Sequence, residues 1–139
     1  IKHIMGTDSI WNVALIGIGN LGRALLRYKG FHEQGFRIVA AFDVDAQLIG
    51  GKVEGVDVFH VNDLDLVVQD QCIRLVAISV ASDAAQSVVE LVVEVGVEGI
   101  LNFAPVTISV PSQVRVIGVD LAMELEQLAF TVVNRDSSS

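Results

Sequence analysis

The feature that most constrains this chain is a glycine motif set between an apolar strand pattern and a helical pattern. Residues 13–16 (VALI) run directly into Gly17, Gly19 and Gly22, which have the spacing G-x-G-x-x-G. In dinucleotide-binding folds the first glycine permits a tight turn, the second lets a pyrophosphate approach and the third lets the helix pack closely. The motif therefore predicts a strand, a turn and a helix that bind a dinucleotide, with Ile18, Asn20 and Leu21 in the turn. The alternative is a glycine turn that binds no ligand.

A second apolar run, residues 38–42, ends at Asp43, 21 residues after Gly22. That spacing is where a carboxylate accepts hydrogen bonds from the adenosine ribose. The carboxylate would also repel a 2′-phosphate, and no arginine follows in Val44, Asp45 or Ala46. The pattern therefore favours NADH and NAD⁺ over their 2′-phosphorylated forms. The alternative is that Asp43 is only a turn residue at the end of a strand.

The composition is that of a buried sheet without a basic surface. The chain has 139 residues, of which 52% are hydrophobic, and a mean hydropathy of +0.57. Parallel strands covered on both faces are apolar throughout, which accounts for that value. No apolar run reaches the length of about 18 residues that indicates a membrane-spanning helix. The net charge is −8 and the nine basic residues are scattered, so we expect no nucleic-acid binding by this chain alone.

The single cysteine and the three histidines indicate neither a redox centre nor a metal site. Cys72 has no partner for an internal disulfide, which favours a cytoplasmic protein, and we interpret it as an inert small hydrophobe. His3, His32 and His60 lack metal-ligand spacing, so no metal is expected.

Strand and helix patterns alternate and predict an α/β fold, a Rossmann-type doubly wound sheet that is mostly parallel. Between Asn102 and Ser112 the chain has two prolines and no helical period. We therefore expect the sheet to end in one or two strands joined by short loops, at least one of them antiparallel. The predicted strands are 12–16, 37–43, 56–61, 75–80, 100–103 and 114–119; the predicted helices are 21–28, 62 or 63 to 68, 82–95 and 120–134, with a short helix or loop at 45–55.

The last predicted helix is apolar on nearly all sides. Leu121, Leu125, Leu128 and Val132 form one stripe, and further apolar residues lie beside it. Such a helix must be buried on more than one side, and exchange of a terminal helix is a low-cost route to a homodimer. The alternative is that it packs on its own sheet.

Ligands of doubly wound sheets lie at the carboxyl ends of the strands. We therefore place Ser79, Val80 and Ala81 beside the cofactor, and Asn102 and Phe103 near the nicotinamide. No catalytic acid–base pair and no substrate domain can be identified. This indicates a binding or sensing module rather than an enzyme. The alternatives are a small NAD-dependent oxidoreductase, or one domain of one, and a nucleotide- or CoA-binding module.

Several motifs resemble the redox-sensing transcriptional repressors called Rex, over nearly the whole chain. They are residues 17–25 (GIGNLGRAL), 28–31 (YKGF), 42–45 (FDVD), 99–105 (GILNFAP) and 119–121 (VDL). The resemblance implies a homodimeric repressor that senses the NADH/NAD⁺ ratio and releases operator DNA on binding NADH. The chain departs from the family at residues 79–82, where a proline is usual.

The resemblance also implies a domain division and two residue roles. Residues 1–10 would be the remnant of a connection to a missing winged-helix domain, 11–119 the NAD(H)-binding domain, 120–134 the exchanged helix and 135–139 a disordered tail. Tyr28 would lie near the nicotinamide, and Asp120 would couple the partner's nicotinamide site to the DNA-binding domain. The residues alone favour a packed aromatic at the end of a helix for Tyr28. They place Asp120 ideally for a helix N-cap, a role that is compatible with the coupling role.

Overall fold

The computed structural model describes residues 10–138, in which seven strands form one sheet in the order β3-β4-β2-β1-β5-β6-β7. The strands are β1 (Trp11–Ile16), β2 (Phe36–Asp43), β3 (Lys52–Val53), β4 (Val56–His60), β5 (Leu75–Ile78), β6 (Gly99–Asn102) and β7 (Arg115–Gly118). The helices are α1 (Asn20–Arg27), α2 (Gly30–Glu33), α3 (Leu64–Asp70), α4 (Ser82–Glu94) and α5 (Leu121–Ser138), with a 3-10 turn at Val61–Asp63.

The direction of winding reverses at β1. This strand pairs in parallel with β2 on one side and with β5 on the other. The chain therefore leaves the first strand toward one edge and returns to build the other, which confirms the predicted doubly wound, mostly parallel sheet. The crevice at the carboxyl ends of β1 and β5 is the switch point where such sheets bind ligands.

The prediction of an antiparallel strand at the end of the sheet is wrong. β7 runs parallel to β6, with Gly99 in register with Arg115, and the antiparallel pair among the described strands is β3 with β4 at the other edge. Twelve extended residues can span far more than a four-residue strand, so the 103–114 segment returns without a helix. Gln86 of α4 holds this crossover, because its amide accepts from Ser109 N at 2.9 Å and donates to Ser109 O at 3.1 Å.

Apolar side chains cover the two faces of the sheet differently. Phe42 and Ile78 belong to the larger core cluster, where α3 and α4 contribute Val67, Val89 and others. Ile18, Ala41 and Val58 form a smaller cluster on the face covered by α1. Full burial of a side chain such as Phe42 stabilises the fold by about 1.5–3 kcal/mol.

Local boundaries differ from the sequence prediction at several points. The short elements α2 and β3 were not predicted, and Cys72 is exposed. Asn62 and Asp63 do not cap α3 with their side chains; instead His60 accepts a bond from Asn62 N. α5 continues to Ser138, beyond the predicted end at 134, because no glycine or proline interrupts residues 135–138. Residues 1–9 of the predicted connection lie outside the described part.

The last helix does not pack on its own sheet. Every side chain of α5 from Leu121 to Arg135 is exposed, and Leu125 and Phe130 are each 67% exposed. The structure therefore does not show the alternative, in which this helix packs on its own sheet. None of the helices in residues 10–138 combines the length and apolarity needed to cross a bilayer.

Candidate functional site

The glycine turn follows β1 and is held by contacts that only glycine permits. Gly17 has φ of +102°, and a Cβ there would lie 2.6 Å from the carbonyl oxygen of Ser79. A Cβ on Gly22 would overlap the carbonyl oxygen of Gly17. Two of the three glycines are therefore required by the protein's own packing, as the motif predicts.

Gly19 differs, because a Cβ there would meet no protein atom within 4 Å. It is the N-cap of α1 and has φ of −92°, which any residue can adopt. No side chain caps this helix and its first turn holds no acidic residue. The space beside Gly19 and the helix N-terminus suit a phosphate group, which backbone N–H groups bind without a competing side chain.

Asp43 joins the end of β2 to the glycine turn. Its Oδ2 accepts from Ile18 N at 2.9 Å, and its Oδ1 accepts from Val44 N at 2.7 Å and Asp45 N at 3.0 Å. The carboxylate is thus held at the mouth of the crevice in one orientation, beside the turn. Asp43 therefore acts as a turn residue, as in the alternative interpretation, and its contact with the ribose stays a prediction.

The end of β5 forms the opposite wall of the turn. Ser79 Oγ donates to Gly17 O at 2.7 Å, and Ser79 N donates to Ile16 O at 2.8 Å. Val80 is half-buried and packs on the larger core cluster, whereas Ala81 is exposed and is the N-cap of α4. The structure therefore brings Ser79 and Val80 to the glycine turn, although the sequence did not reveal that Ser79 would brace it.

Asn102 and Phe103 stand at the end of β6, where Asn102 is in register with Ile78. The amide of Asn102 is only 4% exposed; it accepts from Ala104 N at 3.0 Å and donates to Val106 O at 3.0 Å and Ala104 O at 3.3 Å. Phe103 N donates to Ile78 O at 2.8 Å. Asn102 thus shapes the 103–106 loop beside the crevice, and a direct contact with the nicotinamide stays a prediction.

Tyr28 lies at the opposite end of α1 from the glycine turn, about 12 Å away for a helix of this length. Its ring is 60% exposed and meets Phe31 edge-on at 4.8 Å. Within one subunit the structure does not bring Tyr28 to the glycine turn, and its position near the nicotinamide stays a prediction.

Asp120 caps α5, since its Oδ1 accepts from Met123 N at 3.1 Å. The interpretation of Asp120 as an N-cap is therefore confirmed, and its coupling role stays a prediction. The remaining predicted contacts surround the turn: Ile18 is buried, while Asn20, Leu21 and Val44 are exposed.

The amino ends of the strands carry an ion pair instead of a binding crevice. Arg74, before β5, makes two bonds to Glu98, before β6, at 2.7 and 3.0 Å, and lies over the ring of Trp11. The hydrogen bond from Arg74 lowers the pKa of Glu98, and the same bond raises the pKa of Arg74. This cluster stabilises the amino ends of β1, β5 and β6, which are opposite the strand ends that carry the glycine turn. Within residues 10–138 no group of three or more potential metal ligands is present.

One face of the sheet carries an open apolar groove of about 410 Å³ that sequence reasoning missed. Alternate residues of five neighbouring strands, β2, β1, β5, β6 and β7, form its floor, because the 103–114 crossover packs on the other face. The floor and wall include Val13, Leu75, Ala77, Leu101, Ile117, Leu25 and Phe31.

The family model for the CoA binding domain matches residues 8–106. The redox-sensing transcriptional repressor Rex of Desulfitobacterium hafniense is 46% identical over 135 residues, which cover 97% of this chain and 64% of that protein. The chain spans about three fifths of the length of the curated relatives it matches.

Solved structures of a Rex-family repressor called RSP have the same fold. Its complex with β-NADH superimposes with a TM-score of 0.87 at 29% identity, covering 97% of this chain and 66% of that one. Its complex with β-NAD⁺ and operator DNA gives a TM-score of 0.88 and covers 62% of that chain. UDP-D-quinovosamine 4-dehydrogenase of Vibrio fischeri, at 21% identity and a TM-score of 0.59, shares the fold alone. The chain belongs to the CoA binding domain family, as a domain of the Rex-family C-terminal type.

Proposed function

We propose that this chain is the NAD(H)-binding sensor domain of a transcriptional repressor that responds to the NADH/NAD⁺ ratio. The observation that carries the proposal is the glycine turn braced by Ser79, with the open space at Gly19 and the carboxylate of Asp43 beside it. This arrangement occurs in a chain that is 46% identical to a protein named as a redox-sensing repressor.

The described residues fit a dinucleotide. The uncapped N-terminus of α1 and the space at Gly19 would hold the pyrophosphate, and Asp43 would hold the adenosine ribose. The crevice between Ser79 and Phe103 would receive the nicotinamide. The nicotinamide supplies the signal itself, because its ring is positively charged when oxidised and neutral when reduced.

The name of the family model raises CoA as a second ligand. CoA carries a phosphate on its adenosine ribose, which the carboxylate of Asp43 would repel at close range. NADH and NAD⁺ present free hydroxyls at the same point. We therefore place the chain with the dinucleotide binders of the family.

We propose that the site binds the cofactor without catalysis. The hydroxyl of Ser79 donates to the backbone, and the amide of Asn102 is committed to the 104–106 loop. Neither group is available to move a proton during hydride transfer. An oxidoreductase remains the second candidate, because the fold is shared with dehydrogenases; NADH oxidation driven by a carbonyl compound would favour it.

The exposed α5 and the apolar groove are complementary features. The helix exposes Leu121, Leu125 and Leu128, and among the described residues the groove is open to solvent. We propose that α5 of a second copy fills the groove, which buries both apolar surfaces in a homodimer.

DNA binding belongs, in this proposal, to the part of the longer relatives that the chain does not span. NADH would bind one arrangement of the dimer better than the other and so shift the two subunits relative to each other. A winged-helix domain attached ahead of residue 11 would carry that shift to operator DNA in the cytoplasm.

The ligand class is tested by calorimetric titration with NADH and with CoA. We expect saturable binding of NADH and at least about tenfold weaker binding of CoA, which corresponds to about 1.4 kcal/mol. Tighter binding of CoA than of NADH would contradict the assignment.

The dimer is tested by sedimentation of the wild type and of Leu128→Asp. We expect a dimer that the substitution converts to a monomer, because a buried unpaired carboxylate is costly. Leu66→Asp is the matched control, since Leu66 is 72% exposed but lies on α3. A wild-type monomer, or a Leu128→Asp dimer, would contradict exchange of α5.

A further inference from the structure

We infer that His60 is a second ribose-binding residue, which donates a hydrogen bond to the 2′-oxygen that Asp43 faces. The inference rests on the proposed NAD(H) site and adds a contact at its adenosine end. His60 is the last residue of β4, and its imidazole is half-buried.

The strand register places His60 beside Asp43. β2 and β4 pair in parallel with Ala41 opposite Val58, Phe42 opposite Phe59 and Asp43 opposite His60. In-register residues of neighbouring strands lie about 4.8 Å apart and point to the same face. The two side chains therefore leave the carboxyl edge of the sheet together.

The packing of the preceding residues identifies that face. The rings of Phe42 and Phe59 meet at 5.7 Å, and both belong to the larger core cluster. Ala41 and Val58 lie on the other face, packed with Ile18 of the glycine turn. Because strand side chains alternate, Asp43 and His60 share the glycine-turn face, and the bond from Ile18 N to Asp43 shows this directly.

A backbone bond sets the proton on the imidazole. Nδ1 of His60 accepts from Asn62 N at 3.0 Å, so that nitrogen carries no proton. In the neutral ring the proton then lies on Nε2, which makes Nε2 a donor. Nε2 has no hydrogen-bond partner among the described residues, so this donor is available to a ligand.

The chemistry of the ribose calls for such a donor. Asp43 already accepts three backbone N–H bonds, and a carboxylate can only accept. A ribose hydroxyl that donates to Asp43 still has oxygen lone pairs to satisfy. Nε2–H of His60 supplies the complementary bond from the neighbouring strand.

The test compares NADH with its 2′-deoxyadenosine analogue in the wild type, His60→Ala and His60→Gln. We expect His60→Ala to weaken NADH binding by about fivefold to tenfold, as for one lost hydrogen bond. It should leave binding of the deoxy analogue unchanged. His60→Gln, which keeps a side-chain N–H, should recover part of the affinity. His32→Ala is the matched control, because His32 is exposed on α2.

Each other outcome overturns the inference. An equal loss for both ligands would mean that His60 acts only through the turn at Asn62, and no loss for either would mean that it makes no contact. Failure of the wild type to bind NADH would refute the proposed function instead, so the two failures are distinguishable.

Discussion

Ser79 Oγ donates a 2.7 Å hydrogen bond to the carbonyl oxygen of Gly17, which joins the end of β5 to the turn after β1 across 62 positions of the chain. Gly22 packs against the same carbonyl so closely that a Cβ would overlap it. One backbone oxygen therefore fixes the strand, the turn and the helix relative to each other. The shape of the proposed pyrophosphate site depends on this contact.

Ser79→Ala should lower both stability and NADH affinity. The substitution leaves the part-buried Gly17 carbonyl without its side-chain donor, at a cost of about 1–2 kcal/mol. Urea unfolding and NADH titration measure the two effects. Ser87→Ala is the matched control, because Ser87 is exposed on α4 and its hydroxyl donates a 3.1 Å bond to Ala84 O. Equal effects of the two substitutions would argue against the bracing role.

Gly17→Ala and Gly19→Ala should separate folding from binding. Gly17→Ala combines positive φ with a clash against Ser79 O, so we expect a loss of stability of at least about 1–3 kcal/mol. Gly19→Ala meets no protein atom and should keep the melting temperature. It should nevertheless weaken NADH binding more than tenfold, because the methyl group enters the pyrophosphate space. Unchanged NADH affinity in Gly19→Ala would place the phosphates elsewhere.

Asp43→Asn should change the preference between NADH and NADPH. The wild-type carboxylate repels the 2′-phosphate, and the amide removes that charge, so the ratio of NADPH to NADH affinity should rise about tenfold. Parallel titrations with both nucleotides give the ratio. Asp45→Asn serves as control, because Asp45 accepts its bond from Gln47 N just outside the turn. The same ratio in Asp43→Asn and wild type would remove Asp43 from the ribose site.

Glu98 should give the protein an acid-sensitive component of stability. The hydrogen bond from Arg74 lowers the pKa of Glu98 in the folded state. Its contribution is therefore complete above the unfolded value of about 4.3 and is lost as the pH falls through the lower folded value. Glu98→Gln should lower the urea midpoint at pH 7 and match the wild type in strong acid. The effect should be small because the Arg74–Glu98 pair is exposed. A difference in urea midpoint between Glu98→Gln and wild type that grows as the pH falls would contradict this prediction.

The elements that define the site could be predicted from the sequence because their signals are local. The three glycines lie within residues 17–22, and the apolar run 38–42 leads directly into Asp43. The direction of β7 could not be predicted, because the 103–114 crossover has no periodicity and is held by Gln86, which lies far away in sequence.

Side-chain hydrogen bonds between distant segments could likewise not be predicted from the sequence. In the sequence Ser79 is one polar residue after a strand, and nothing there predicts that its hydroxyl donates to Gly17 O. The sequence predicts that the Asn102 amide faces the crevice, whereas in the structure it bonds to Ala104 N and Val106 O of the following loop. The pairing of His60 with Asp43 depends on strand order, which the sequence did not specify at that edge.

The central claim is that the site distinguishes the two redox forms of the nicotinamide. Titration of the protein with NADH and with NAD⁺ under identical conditions tests it most directly. The account predicts that NADH binds more tightly, by at least about tenfold, which is a difference of about 1.4 kcal/mol. Equal affinities would contradict the account, because a site that binds both forms alike cannot report their ratio.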